Sequence, residues 1–135
     1  MDILSSMMIS ASGMKAQSSR MRIVAENLAN ANSTALSPEG DPYRRRMPSF
    51  KSVLDGETGL PQLTMARVIE DKSPFTLRYE PNHPAADKDG YIKLPNVNSL
   101  VEMMDMKEAQ RSYEANLSVI STSRSMLLQT VALLR

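Results

Sequence analysis

The chain has 135 residues, with 16 Lys and Arg against 15 Asp and Glu and no Cys. This length allows one ordinary domain or a small domain with long appendages. The nearly balanced charge gives no electrostatic case for binding nucleic acid or an anionic membrane, and the lack of cysteine excludes disulfides and thiolate chemistry. Aromatic residues make up only 4% of the chain, whereas 11 residues are Met. This composition suits helix interfaces better than one dense core.

The N-terminal stretch MDILSSMMISASGMK lacks the basic start and continuous apolar run of a cleaved secretory signal. No stretch approaches the roughly 18 apolar residues of a membrane span, so we expect no direct membrane insertion. A protein with this sequence that works outside the cytoplasm would need an export route other than a cleaved signal.

The first predicted element is an amphipathic helix from Asp2 to about Asn32, within a region spanning 1–33. Apolar and small residues recur there at alternating spacings of three and four for more than three heptads. We call this set the first seam: Leu4, Met7, Ala11, Met14, Ser18, Met21, Ala25 and Leu28. A weaker stripe lies on another face of the same helix: Ile9, Ala16 and Ile23.

Residues 34–98 hold all eight prolines and four of the five glycines, and they read as a small irregular β module. YRRRMPSFKSVL predicts a first strand, which Pro48 makes an edge strand or a broken one. LTMARVIED (63–71) predicts a second strand and YIKL (91–94) a short fourth. Between them, Phe75, Leu77 and Tyr79 alternate with polar residues, which predicts a half-buried third strand.

A second long helix is predicted over the C-terminal region, 99–135, which contains no Pro or Gly. Ser99 followed by Glu102 fits a capping box and places the helix start near residue 99. A heptad pattern then runs to the end of the chain. We call it the second seam: Met103, Met106, Gln110, Tyr113, Leu117, Ile120, Arg124, Leu127, Val131 and Leu134.

The predicted fold is mainly α, with long N- and C-terminal helices pairing as a coiled coil and a small irregular β-rich insert between them. Pairing the two helices would cover one apolar stripe on each, and a further stripe would stay exposed on each, including Val119, Met126 and Leu133 on the second helix. This favours self-association or assembly with similar proteins. An ordinary helical hairpin core is the simpler alternative.

Residues capable of chemistry are few, so we predict no catalytic, cofactor-binding or metal site. His83, the only histidine, sits between prolines in a predicted loop without an identifiable partner. DKDG (87–90) resembles the opening of a calcium loop but lacks the later ligand positions, which favours a turn. Arg44, Arg45 and Arg46 would alternate faces in a strand, which predicts a solvated edge or contact with an acidic partner.

Three stretches together resemble a known family. ENLANANSTA (26–35) after an amphipathic helix resembles the N-terminal signature of bacterial flagellar axial proteins, meaning rod, hook and hook-associated proteins. RSYEANL (111–117) resembles their C-terminal segment, and SPFTLRYEPNHPAADKDGYIKLPNVN (73–98) is similar to the middle of the proximal rod members. STALSPEGDPYRRR (33–46) replaces the short step that many axial proteins have there, which favours the proximal rod members of the flagellar basal-body rod family.

The resemblance implies a non-enzymatic structural subunit of the proximal rod, the drive shaft that carries torque from motor to hook around the export channel. It implies export without a cleaved signal through the flagellar type III apparatus and a place in the rod crossing the periplasm. The implied partners are copies of the chain, the other proximal rod subunits, the rod-base adaptor, the distal rod and the export apparatus.

Under this reading, the two seams, apart from Ser18, form the assembly interface together with Asn27 and Asn30. These two asparagines lie three residues apart on one helix face, so their amides are expected to donate and accept across subunits and fix register. Alternatives from other classes are a stand-alone coiled-coil adaptor or export chaperone that docks a partner helix, and an enzyme of unknown type. A membrane-surface helix would have only Lys15, Arg20 and Arg22 as cations.

Overall fold

The computed structural model of the protein describes residues 2–133. Its elements, in chain order, are α1 (Ile3–Ala29), β1 (Arg46–Leu54), β2 (Pro61–Glu70), β3 (Thr76–Tyr79), β4 (Tyr91–Leu94) and α2 (Ser99–Leu133). The predicted mainly α fold, with a helix toward each end and a small β insert between them, is confirmed, and the strands of the insert pair in antiparallel directions. Supercoiled coiled-coil geometry between the helices stays a prediction.

The two helices pack against each other in antiparallel directions. Asn27, in the last turn of α1, bonds to Glu102 in the first turn of α2. Gly13, near the middle of α1, lies against Asn116 farther along α2, and a Cβ atom at Gly13 would lie only 3.1 Å from Asn116 Nδ2. The missing side chain at Gly13 therefore permits the close approach of the two helices.

The helices differ in length, which leaves one end of α2 uncovered. α1 has 27 residues and α2 has 35, so they measure about 40 and 52 Å at a rise of 1.5 Å per residue. Near the end of α2, Leu128 is 61% exposed and Leu133 is 87% exposed. The antiparallel pair thus buries the first part of α2 and leaves its last turns open.

The insert consists of two separate antiparallel hairpins. β1 pairs with β2 from Arg46–Glu70 to Leu54–Pro61, with an irregularity in register between Ser49 and Phe50. Pro48 lies within β1, where it is tolerated because each strand of a two-stranded sheet has a free edge. The expectation of an edge strand at this proline is therefore confirmed.

The second hairpin pairs β3 with β4 from Thr76–Leu94 to Tyr79–Tyr91. The prediction that β3 is half-buried is wrong, because Leu77 and Tyr79 are each 62% exposed. β3 pairs only with β4, and a two-stranded hairpin cannot by itself cover an alternating apolar face. Gly90 adopts a φ of +85°, and a Cβ there would lie 2.9 Å from the Tyr79 ring, so the turn before β4 requires glycine.

The start of α2 agrees with the prediction, but its cap does not. Asn98 is the capping residue, since its Oδ1 accepts a hydrogen bond from the backbone N–H of Leu100 at 3.0 Å. Glu102 does not reach back to the helix start as a capping box requires, because its carboxylate points to α1 and to Arg45. The sequence therefore predicted the correct first residue of α2 but the wrong capping interaction.

Candidate assembly interface

The first seam is only half covered within the chain. Met7, Met14, Met21 and Leu28 are partly buried, and the alternate positions Leu4, Ala11, Ser18 and Ala25 are exposed. These four exposed positions are spaced seven residues apart, so they form a straight stripe along α1. Apart from Leu4, this stripe consists of small side chains.

The second seam shows the same alternation on α2. Met106, Tyr113, Ile120 and Leu127 are partly buried, and Met103, Gln110, Leu117, Arg124 and Val131 are exposed. Met103 is 50% exposed and Leu117 is 49% exposed, so about half of each apolar surface stays in contact with solvent. Leu134, the last predicted position, lies outside the described residues.

A different face of each helix carries the buried contacts. On α1, the buried residues include Ala16, Ile23 and Val24, so two members of the stripe that appeared weaker are more fully buried than any seam position. On α2, the buried residues are Glu102, Ala109 and Ser123, each one position before a seam residue. The seams therefore flank the helix contact within the chain instead of forming its centre.

Asn27 is the centre of a polar junction between α1, the start of β1 and α2. Its Nδ2 donates to the Arg46 carbonyl oxygen at 2.8 Å and to Glu102 Oε2 at 3.0 Å. Its Oδ1 accepts from Tyr43 Oη at 2.8 Å and from the Arg46 N–H at 2.9 Å. All four hydrogen-bonding positions of the amide are filled within the chain, and Asn27 is 1% exposed.

This arrangement gives both asparagines roles within the chain, and a role in contacts between subunits stays a prediction for Asn30. The Asn27 amide has no free donor or acceptor for a neighbouring subunit, so it sets contacts within the chain. Asn30 Nδ2 donates to the Glu26 carbonyl oxygen at 2.8 Å, and Asn30 is the C-terminal cap of α1. Asn30 therefore ends the helix, which uses part of its hydrogen-bonding capacity locally.

Glu102 and Arg45 form the charged part of the junction. Glu102 is fully buried, and its Oε1 accepts a hydrogen bond from Arg45 Nε. Two more carboxylates lie near Arg45, with Asp105 Oδ2 3.6 Å from Nη2 and Asp71 Oδ2 4.0 Å from Nη1. Burial of this ion pair is tolerated because both partners also have hydrogen bonds or further opposite charges. We call Asn27, Tyr43, Arg45, Arg46 and Glu102 the polar junction.

The arginine run is not the solvated edge that alternation predicted. Arg45 turns inward to the polar junction. The Arg44 guanidinium lies 4.2 Å from the centre of the Phe75 ring, a cation–π contact that ties the chain before β1 to the residue before β3. Arg46 is the most exposed of the three, with Nη1 3.7 Å from Glu26 Oε2.

The pKa of Tyr43 is displaced by its position in the polar junction. Burial raises the pKa of its phenol above 10.0; the Arg46 charge opposes this shift, and Glu26 adds to it. A raised pKa means that the fold favours the neutral phenol, so its contribution to stability is complete below pH 10.0 and is lost as pH rises through the folded-state pKa. The junction should therefore weaken in alkali.

Replacing Tyr43 with Phe should lower the free energy of unfolding by about 0.5–1.5 kcal/mol at neutral pH, because Asn27 Oδ1 loses one of its two donors. As the pH rises above 10.0, the free energy of unfolding should fall less in the variant than in the native chain. Urea unfolding at both pH values measures the two effects. Tyr91→Phe is the control, since Tyr91 is 43% exposed. Equal alkaline losses in the native chain and Tyr43→Phe would contradict this account of the junction.

The remaining candidates for chemistry have structural roles. His83 Nδ1 accepts from the Ala85 N–H at 3.1 Å, and Nε2 lies 3.4 Å from Thr34 Oγ1, so the ring holds a turn against the segment after α1. Asp87 Oδ1 accepts from the N–H groups of Asp89 and Tyr91, which makes DKDG the turn that was predicted. Among residues 2–133, no group of three or more His, Asp or Glu side chains could hold a metal ion.

Comparison with known proteins identifies the family. Residues 7–35 match the family described as flagella basal body rod protein, and residues 88–133 match the family described as flagellar basal body rod FlgEFG protein C-terminal. The flagellar basal-body rod protein FlgC of Agrobacterium fabrum is 47% identical over 127 residues, which cover 94% of this chain and 91% of that protein. The chain belongs to the FlgC family of flagellar basal-body rod proteins.

Rod proteins of other bacteria show similar identity. FlgC of Salmonella typhimurium is 42% identical, with 93% of this chain and 92% of that protein covered. FlgC of Aquifex aeolicus is also 42% identical, with 96% of each covered. Family membership makes the chain a structural subunit of the rod in the flagellar basal body. In the part of the rod subunit that the structure describes, no helix combines the length and apolar content needed to cross a membrane.

Sequence reasoning missed most of the polar junction of this rod subunit. From the sequence, Asn27 stands out as a register residue, whereas Tyr43 lies unmarked within the stretch 33–46 and Glu102 reads only as part of a cap. One signal was available for Glu102: it begins a run of alternating three- and four-residue spacings that continues through Met106 and Ala109. A charged residue in such a run indicates either an exposed face or a buried charge with a distant partner. Only the tertiary structure identifies the partner.

Proposed function

We propose that the rod subunit assembles through the exposed halves of the first and second seams, by contact with copies of itself and with other rod proteins. One observation carries the proposal: helix pairing within the chain leaves heptad-spaced apolar side chains such as Met103 and Leu117 half exposed. Full burial of such side chains stabilises by about 1.5–3 kcal/mol each, so roughly half of that remains available for assembly.

The two exposed stripes differ in size in a way that favours contact between subunits. The stripe on α1 is built mainly of small residues, Ala11, Ser18 and Ala25, which leave room for a neighbouring helix. The stripe on α2 carries larger side chains, Met103 and Leu117. Large side chains of one helix fitting between small ones of another is the packing that heptad repeats favour. In this arrangement α2 of one subunit packs on α1 of the next as a coiled coil.

Similarity to FlgC proteins supports the finer parts of the proposal. The subunit belongs to the proximal rod, adjoins the other proximal rod subunits, the rod-base adaptor and the distal rod, and surrounds the export channel where the rod crosses the periplasm. It leaves the cytoplasm through the flagellar type III apparatus. Regions 1–33 and 99–135 supply the assembling helices, and 34–98 supplies the β module. The proposed role is structural and not catalytic, and the rod-protein names of the relatives support it.

Met103→Asp tests the proposal, and Met104→Asp is its matched control. The two methionines are adjacent on α2 and are 50% and 65% exposed, so neither substitution should greatly change the stability of the isolated chain. Only Met103 belongs to the second seam. Sedimentation of purified protein over a range of concentrations should show large assemblies for the native chain and for Met104→Asp, and a strong loss of assembly for Met103→Asp.

Two outcomes would count against this proposal. Equal assembly by both variants would show that the second seam is not the contact surface. A native chain that stops at one small, fixed oligomer would favour the alternative of an adaptor or export chaperone. Circular dichroism of each variant at low concentration serves as the control for folding.

A further inference from the structure

The polar junction connects three segments that lie far apart in sequence, and it does so with directional bonds. The Asn27 side chain bonds to the backbone N–H of Arg46 at 2.9 Å and to the backbone carbonyl oxygen of Arg46 at 2.8 Å. Glu102 bonds to Asn27 with one oxygen and to Arg45 with the other. The end of α1, the start of β1 and the first turn of α2 are therefore joined at one point.

Apart from the polar junction, the close approach at Gly13 and the Arg20–Asp105 ion pair, the contact between the helices discriminates poorly between registers. Its buried residues are small or apolar, including Ala16 and Ile23 on α1 and Ala109 and Ser123 on α2. Ala16 and Ile23 are seven residues apart, and Ala109 and Ser123 are fourteen apart, so the faces repeat with the heptad. Sliding one helix by seven residues, about 10 Å, would again place small or apolar residues opposite one another.

The polar junction has no such repeat. A slide of one heptad would separate Glu102 from Asn27 and leave a buried carboxylate and a buried amide without these partners, which is costly in a low-dielectric environment. In some proteins a single buried polar residue fixes the register of paired helices at the expense of stability. We infer that the polar junction sets the register of α1 against α2 and β1, so that its main contribution is selection of one pairing among several.

Loss of the polar junction should change the register of the helices without necessarily lowering the stability of the fold. Removing one member of the polar junction leaves the others without a partner and should destabilise the fold. Replacing the buried groups together by apolar ones is often neutral or stabilising. The triple variant Asn27→Leu, Arg45→Met and Glu102→Leu should therefore remain helical. It should also lose the preference for one register, since apolar side chains at these positions accept several alignments.

Cysteine pairs report the register directly because the natural chain contains no Cys. Gly13→Cys combined with Asn116→Cys reports the native register, since a Cβ at position 13 lies 3.3 Å from Asn116 Cγ. Gly13→Cys combined with Ala109→Cys or with Ser123→Cys reports a slide of one heptad in either direction. Each pair is oxidised in dilute monomeric protein, once with the natural junction and once with the triple variant, and disulfide formation is measured by thiol titration.

With the natural junction, only the 13–116 pair should form in quantity. In the triple variant, one or both off-register pairs should rise by at least about fivefold relative to the native pair, because loss of about 1 kcal/mol of preference for one register changes the ratio by that factor. The same single disulfide in both backgrounds would overturn the inference, as would equal off-register bonding in both. Loss of helical circular dichroism in the triple variant would also overturn it, because the junction would then be required for folding itself. None of these outcomes depends on whether the seams assemble.

Discussion

Glu102→Ala is expected to lower the free energy of unfolding by about 3–5 kcal/mol, because it removes the fully buried partner of an ion pair whose other member, Arg45, is 20% exposed. Glu102 is fully buried, and its loss leaves Arg45 with only the more distant Asp71 and Asp105. It also removes one acceptor from the Asn27 amide. Domains of ordinary size have a total stability of about 5–15 kcal/mol, so the loss would be a large part of the whole. Urea unfolding followed by circular dichroism measures it.

Two further variants define what the Glu102 result means. Glu108→Ala removes an exposed carboxylate from the same helix and should change stability by less than about 0.5 kcal/mol. Glu102→Gln keeps an acceptor oxygen but removes the charge, so its loss should fall between those of the two alanine variants. If Glu102→Ala were no more destabilising than Glu108→Ala, the polar junction would not hold the helices together.

Leu117→Asp is expected to abolish motility while leaving the isolated chain folded. Leu117 is 49% exposed, so aspartate at this position keeps contact with water in the monomer. In the assembly, the same carboxylate would be buried in the second seam at a cost of several kcal/mol, and the defect would repeat in every subunit. Swimming in soft agar, with protein levels measured in parallel, tests the effect in cells.

Leu36→Asp is the matched control, because it makes the same chemical change at a residue that is 99% exposed and belongs to neither seam. Cells carrying it should swim. Ile120→Asp differs from both, since Ile120 is partly buried in the chain and should lose folding as well as assembly. Motile cells with Leu117→Asp, or immotile cells with Leu36→Asp at normal protein levels, would contradict the role proposed for the second seam.

The sequence determined the type and position of the secondary structure because those features depend on local interactions. The absence of Pro and Gly from the C-terminal region allowed α2 to run unbroken to Leu133, and Pro48 marked a strand with a free edge. Fold class and family also followed from the sequence, since heptad spacing and stretches such as ENLANANSTA can be read without knowledge of distant contacts. In these respects the helices and most strands agreed with expectation.

Only the tertiary structure decided which face of each helix is buried and what the polar residues do. An amphipathic helix with several apolar stripes offers several faces, and the choice depends on which partner arrives from elsewhere in the chain. The stripe of Ala16 and Ile23 is buried in place of the first seam because it shares a helix face with Gly13 and Asn27, which contact α2. Asn27 and Glu102 are 75 residues apart, and directional bonds across that separation leave no periodic trace in the sequence.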